Sequence, residues 1–385
     1  MAETIPVSVQ SLSQRLETLA AAEPSPFPVI SLYLDLSAAN NGRESYETFI
    51  RKAFAERAKG LPDESPERQS FEQDVERIRT YLGNEVNRSS NGLAIFASSG
   101  AKLFEAVQVD APVEQHWLFI GSVPHLYPLA RLVETYPRYA AVILDTNKAQ
   151  IFVFGLGSIE RAERVTNPKT RRTSKGGWSQ ARYQRRADNV HEQHIKEVVE
   201  TLDKLVREEQ LQHIVIAGEE VALNILRNEL PKQLNEKLVD VTKWDRTDGE
   251  KEILEASLEA LREKDAETDI EKVEEMLNAW RSGGLGVAGP EATMRALQNG
   301  QVDELIIAAV PETLKPMQKL PEDAAPGEVV ADTSAPQGPA DEARLKLSDE
   351  LVTRAQQTAA RVRFIEDPNL LAEVGGVGAL LRFRI

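Results

Sequence analysis

The sequence predicts an α/β protein built from more than one domain. Three observations carry this: 385 residues exceed what one ordinary core of roughly 100–200 residues holds; β-rich runs alternate with helical spacing along the chain; and 41% hydrophobic with 28% charged residues is the balance of a folded chain.

The first domain spans 1–135. Val29 to Asp35 is a β-rich run, and residues 43–59 and 67–82 carry helical spacing with many charges. Gly92 to Phe96 and Lys102 to Val107, joined by the turn-prone Ser98-Ser99-Gly100, read as a hairpin.

A second domain spans 136–281. Tyr139 to Asp145 and Ala149 to Phe154 are strands separated by Thr146-Asn147-Lys148, a second hairpin. Val190, Ile195, Val198, Val199, Leu202, Leu205 and Val206 recur at three- and four-residue steps, which predicts an amphipathic helix over 187–209. A short buried strand from His213 to Gly218, a helix over 219–230 and a strand from Leu238 to Val241 then form a βαβ unit. A long charged helix over 249–281 closes the domain.

A smaller third α/β domain spans 282–385. It holds a helix over 290–299, a strand from Glu304 to Ala309, a helix over 348–360, a strand from Arg361 to Ile365 and a terminal strand from Leu380 to Ile385. Residues 311–343 are rich in Pro, Ala, Asp and Gly with little apolar periodicity, and read as a flexible insertion.

Composition excludes several function classes. With no cysteine, disulfides, thiolate catalysis and cysteine-ligated zinc are ruled out, which fits a reducing compartment. No basic segment followed by an apolar run opens the chain, and no stretch of about 18 apolar residues occurs, so a cytoplasmic location without membrane insertion is expected. G-x-S-x-G, P-loop and H-E-x-x-H patterns are absent. Gly284 to Gly289 satisfies G-x-G-x-x-G, but a helix and not a strand precedes it, so a helix C-cap and interdomain turn is the expectation. His191 and His194 lie one turn apart; two imidazoles make no metal site, and a solvated helix face is expected. No metal and no cofactor follow from the residues.

The formal charge of -15 argues alone against a nucleic-acid partner. Its distribution points the other way. Residues 161–190 carry nine basic and two acidic side chains, a local +7 that leaves -22 on the rest. Within this basic stretch, read as a loop over 161–186, stands Lys175-Gly176-Gly177-Trp178-Ser179-Gln180-Ala181-Arg182-Tyr183. Paired glycines permit close backbone approach, arginines neutralise phosphates and aromatics stack on bases, which suits an RNA pocket.

This segment, with Arg185 following, resembles the G-G-Q-S-A-x-R-F-x-R stretch of archaeo-eukaryotic class-I peptide release factors and their bacterial relatives. The hairpin around Val142-Ile143-Leu144-Asp145, the helix after the loop, Ile214 to Gly218, and Gly375-Gly376-Val377-Gly378-Ala379-Leu380-Leu381-Arg382-Phe383 resemble, in order, landmarks of that family's middle and C-terminal domains. The likeness covers residues 137–385; the first 135 match as a generic α/β N-domain. It implies a three-domain architecture with an RNase H-like middle domain.

The resemblance further implies a ribosomal partner, through large-subunit rRNA and tRNA, with a translational GTPase as a further candidate partner and a monomeric chain. In the family the loop enters the peptidyl-transferase centre, where a glutamine helps place a water against the ester joining peptide to tRNA. Aligned without a gap, Trp178 holds that glutamine position, and Gln180 lies two residues later. Gly177-Trp178-Ser179-Gln180 is similar to the G-x-x-Q form of the Vms-like branch, which releases chains from stalled large subunits. That implies catalytic roles for Gln180, Gly177 and Gly176, with Arg171, Arg172, Lys175, Trp178, Arg182, Tyr183, Arg185 and Arg186 on RNA. The family's stop-codon-reading N-I-K-S stretch is absent, so rescue of stalled ribosomes without codon reading is the implied activity. The alternative is a Balon-type hibernation factor that occludes the A site without hydrolysis, for which Trp178 would stack on rRNA.

Overall fold

Three sheets organise the described residues of the computed structural model, which are 12–37, 42–87, 89–113, 115–166, 180–242, 250–317, 327–331 and 339–384. The chain divides into two units: 1–135 together with 268–385, and 136–267.

The N-terminal part of the first unit runs α1 (Leu12–Ala20), β1 (Val29–Asp35), α2 (Gly42–Lys59), α3 (Pro66–Asn84), β2 (Gly92–Ser98), β3 (Leu103–Val109), β4 (Trp117–Gly121) and α4 (Tyr127–Thr135). β1 is buried on both faces, which explains its continuous apolar run. Ile30, Leu32 and Leu34 meet Phe49 and Phe54 of α2 and Phe71 and Ile78 of α3. On the other face Tyr33 stands edge-on to Phe96 and Phe119 and donates its hydroxyl to the His125 carbonyl at 2.7 Å. α1, β4 and α4 were not anticipated from the sequence.

The second unit holds β5 (Tyr139–Leu144), β6 (Lys148–Gly155), β7 (Ser158–Thr166), α5 (Gln180–Glu208), β8 (His213–Gly218), α6 (Glu220–Glu229), the single turn α7 (Lys232–Asn235), β9 (Leu238–Thr242) and the first part of α8 (Glu250–Arg281). Its sheet order is β7-β6-β5-β8-β9, with β5, β6 and β7 antiparallel and β8 and β9 parallel to β5. This is the RNase H-like arrangement. α5 and α6 cover one face and the residues of α8 up to Leu261 the other, where the Ser257 and Tyr139 hydroxyls share a hydrogen bond of 2.7 Å.

The remaining residues of the first unit include the last part of α8, then β10 (Gly286–Ala288), α9 (Pro290–Gln298), β11 (Val302–Ala308), β12 (Gly327–Ala331), α10 (Pro339–Gln357), β13 (Arg361–Ile365) and β14 (Val377–Leu381). β10, β14, β11 and β13 form a four-stranded sheet, on which Val273, Met276 and Leu277 of α8 pack. The Gly375-Gly376-Val377-Gly378 run is sterically required. Gly376 has φ +82°, and a Cβ at Gly378 would stand 2.7 Å from the Met276 sulfur. Gly283, with φ +70°, ends α8 as a C-cap, whereas Gly286 belongs to β10.

α4 joins the two parts of this unit. The Asp349 carboxylate of α10 accepts from the Leu126 and Tyr127 amides at 2.8 and 3.1 Å and pairs with His125 at 2.9 Å, capping α4 from outside. Tyr127 donates to the Ala309 carbonyl at 3.0 Å, and Glu134 accepts from the Phe364 amide at 2.9 Å. Residues 311–343, expected as a structureless insertion, contain β12, which lies in the N-terminal sheet. No helix among the described residues is long and apolar enough to cross a membrane.

Candidate functional site

The basic segment is mounted between β7 and α5. β5 and β6 are joined by a turn in which the Asp145 carboxylate accepts from the amides of Asn147 and Lys148 at 2.6 and 2.9 Å, the local bonding that makes Asp a turn former. β6 turns into β7 through Leu156 and Gly157, both with positive φ (+51° and +81°), and the two strands then pair from Gly155↔Ser158 to Lys148↔Thr166.

This corrects the expected extent of the loop. Residues 161–166 are strand and residues 180–186 are helix, so only 167–179 connect them. β7 is an edge strand whose positions alternate between half-buried and exposed from Ile159 onward, and its charges guard an open ladder. Arg171, Arg172, Lys175, Gly176, Gly177 and Trp178 lie outside the described residues. Gln180 opens α5, and Arg182, Tyr183, Arg185 and Arg186 occupy its first two turns.

The burial of α5 is described from Asn189 onward. Ile195, Val198, Leu202, Leu205 and Val206 lie in the core, and burial begins at His194. Asn189, Glu192 and Gln193 are exposed. His194 lies against the Lys148 backbone, level with the Lys148↔Thr166 pair that ends β7. At 1.5 Å rise per residue, the helix start at Gln180 lies about 20 Å along the helix axis from His194. The candidate site is this N-terminal end of α5 with the basic connection that precedes it in sequence, together called the arm below.

Two contacts root the arm. At its far end, Glu209 accepts from Arg138 at 3.0 Å and from Arg161 of β7 at 3.0 Å, while Arg138 also reaches Glu160 at 2.7 Å. Burial pushes the Glu209 carboxyl up, but the hydrogen bonds and charges of Arg138 and Arg161 together outweigh it and hold the group below the ordinary range. At the near end, His194 is fully buried and neither ring nitrogen makes a well-formed hydrogen bond. Burial lowers its pKa, so the ring is neutral at pH 7. The expectation of a solvated His191–His194 face is thus corrected for His194: it stands four residues before Val198 and eight before Leu202, in line with the core stripe. Arg138 and Glu209, and the pairing of Arg161 with Glu209, escaped sequence reasoning; Asp145, before Thr146-Asn147-Lys148, carried a recognisable turn signal. Among the described residues no cluster of three or more His, Asp or Glu is placed to hold a metal.

The basic segment thus connects the edge strand and the long helix of an RNase H-like unit, with α/β parts before and after it in sequence. Residues 124–262 match the family model for bacterial archaeo-eukaryotic release factor family 10. Across 421 aligned residues the chain is 22% identical to peptide chain release factor subunit 1 of Pyrococcus abyssi, covering 97% of this chain and 98% of that protein. It is 25% identical to the Methanopyrus kandleri protein of the same name over 66% of this chain and 65% of that one. An uncharacterised Mycobacterium tuberculosis protein is 26% identical over 96% of each chain. The chain is thus similar to archaeo-eukaryotic release factors, and its residues 124–262 match a bacterial family of that group. Solved structures similar to it include an archaeal translation termination factor (18% identity, TM-score 0.26, 97% of each chain) and ribosome-bound archaeal Pelota (13%, TM-score 0.43, 98% of this chain and 96% of that one).

The two roots behave differently under substitution and acid. Because the Glu209 carboxyl is held below its ordinary value of 4.5, its stabilisation is present above that pH and lost as pH falls. Glu209→Gln is expected to cost about 1 kcal/mol at pH 7, and thermal unfolding should show the gap to wild type narrowing below pH 4.5. His194 has the opposite consequence. As pH drops through its ordinary value of 6.5 the unfolded chain takes up a proton before the folded one, and stability falls. His194→Leu is expected to melt at or above wild type and to lose less stability between pH 7.5 and 5.5; a lower melting temperature at pH 7.5 would contradict this reading of the buried ring.

Proposed function

We propose that this protein is a ribosome-binding factor that inserts its arm into the peptidyl-transferase centre and hydrolyses peptidyl-tRNA, rescuing stalled ribosomes without reading a stop codon. The observation that carries the reading is the electrostatics of the arm. A helix N-terminus already bears about half a positive charge, so each cation there is unfavourable by about 0.3–1 kcal/mol. The first two turns of α5 contain Arg182, Arg185 and Arg186, and its first turn has no acidic residue. A phosphate partner would relieve this unfavourable charge. Arg171, Arg172 and Lys175, in the preceding connection, extend the same field.

The position of Gln180 fits the chemistry. As the first residue of α5 it sits within the arm, beside Gly176 and Gly177 in sequence, where an amide could orient a water toward the peptidyl ester. Hydrolysis then rests on positioning and on the dipoles of the RNA site, so no perturbed acid or base is needed in the protein. Trp178 favours a second reading, a hibernation factor in which the indole stacks on rRNA and the arm blocks the A site without reaction.

Single-turnover release of labelled peptide from stalled ribosomes or large subunits separates the two. Hydrolysis predicts release by wild type, a loss of about 100-fold or more in Gln180→Ala, on the order expected for removing one positioning group, and release by Trp178→Ala. No release by wild type, with binding that Trp178→Ala weakens, would contradict hydrolysis and support occlusion.

A further inference from the structure

The N-terminal sheet is completed by a strand from far along the chain. β4 pairs on one side with β1, from Val29↔Gly121 to Tyr33↔Trp117. On its other side lies β12, antiparallel and in unbroken register from Gly327↔Gly121 to Ala331↔Trp117. No turn links these two strands. β12 stands between β11 and α10, joined to them by stretches rich in Pro, Ala and Asp.

β4 is held without β12. Leu118 and Ile120 lie in the core under α2 and α3, while Phe119 packs against Tyr33 on one side and His125 on the other. The outer edge of β4 is therefore a formed row of amides and carbonyls, a template for any extended segment. Five residues of ladder are a weak association by themselves. Covalent attachment supplies an effective concentration in the millimolar range and keeps the edge filled.

We propose that the outer edge of β4 is a strand-acceptor site, that its ligand is the Gly327–Ala331 segment, and that this ligand is exchangeable between its own chain and a second source. The site selects an extended peptide that pairs antiparallel with Trp117–Gly121 and carries β-branched residues opposite Leu118 and Phe119, the register positions of Val330 and Val329. While the chain's own segment is seated, the edge is closed to strand addition; once it is released, the same segment of a second copy fits equally well. This site belongs to the N-terminal sheet alone and is independent of the proposed ribosomal activity.

The test replaces residues 318–338 with Gly/Ser sequence of the same length and adds a fluorescent peptide of residues 322–333. The variant is expected to keep the fold by circular dichroism and to bind the peptide saturably, with full-length protein binding about tenfold or more weakly. A peptide with proline at 329 and 330 should not bind, because proline supplies no amide to the ladder. A folded variant that ignores the peptide overturns the proposal, and so does a variant that unfolds, since the edge would then not be preformed. A second measurement uses the cysteine-free background. Gly121→Cys with Gly327→Cys places thiols on paired residues, within the reach of about 4.4–6.8 Å that a disulfide spans. Oxidation should give an intrachain cross-link in dilute protein and an interchain one in concentrated protein after partial unfolding and refolding. Cross-links of the first kind only, at every concentration, would show a fixed strand and contradict exchange.

Discussion

The packing of the α5 apolar stripe on the five-stranded sheet is the contact on which the site depends. Ile195, Val198, Val199, Leu202, Leu205 and Val206 are all nearly inaccessible. At about 1.5–3 kcal/mol per buried aliphatic side chain, the stripe contributes on the order of 10 kcal/mol. Three arginines at the opposite end oppose helix formation by a few tenths to about 1 kcal/mol each. The magnitudes differ enough that a helix can be loaded with like charge at its start, provided its C-terminal half is well buried. Arg138, Arg161 and Glu209 then fix the helix relative to β7, the element at the other end of the connection.

A second constraint governs the other unit. Residues 1–135 and 268–385 are far apart in sequence, yet α4 is held by groups from the later segment: Asp349 at its N-terminus, the Ala309 carbonyl on Tyr127 and Arg131, and the Phe364 amide on Glu134. Asp349 carries most of this role. One carboxylate satisfies two otherwise open helix amides and His125 at once, replacing the local N-cap that Leu126 cannot provide.

Much of the fold was legible because burial leaves strong signals, continuous apolar runs in strands covered on both faces and a stripe in a helix covered on one. β1, β5, β6 and β8 are continuous apolar runs, and α5 keeps its stripe over four turns. What escaped has physical causes. β7, Ser-Ile-Glu-Arg-Ala-Glu-Arg-Val-Thr, is an edge strand whose charges mask its pairing, so the basic segment looked longer than it is. β12 owes its existence to the β4 edge, a partner some two hundred residues away that no local pattern reveals. His194 illustrates a readable signal overlooked: its offset from Val198 and Leu202 put it on the buried stripe, against the habit of assigning histidine to solvent. Of the candidate site, the charge and glycine pattern was evident from residues alone, whereas the start of α5 at Gln180 and the end of β7 at Thr166 required the structure.

Entry of the arm into an rRNA-walled site is the central claim. Directed hydroxyl-radical probing tests it most directly, because the chain has no cysteine and one can be introduced where wanted. Gln184→Cys, in the second turn of α5, carries a tethered iron chelate onto ribosomes at physiological salt. The expected result is cleavage confined to large-subunit rRNA around the peptidyl-transferase centre, lost when Arg182, Arg185 and Arg186 are changed to alanine. Cleavage elsewhere on the ribosome, or none from a protein that still co-sediments with it, would contradict entry of the arm.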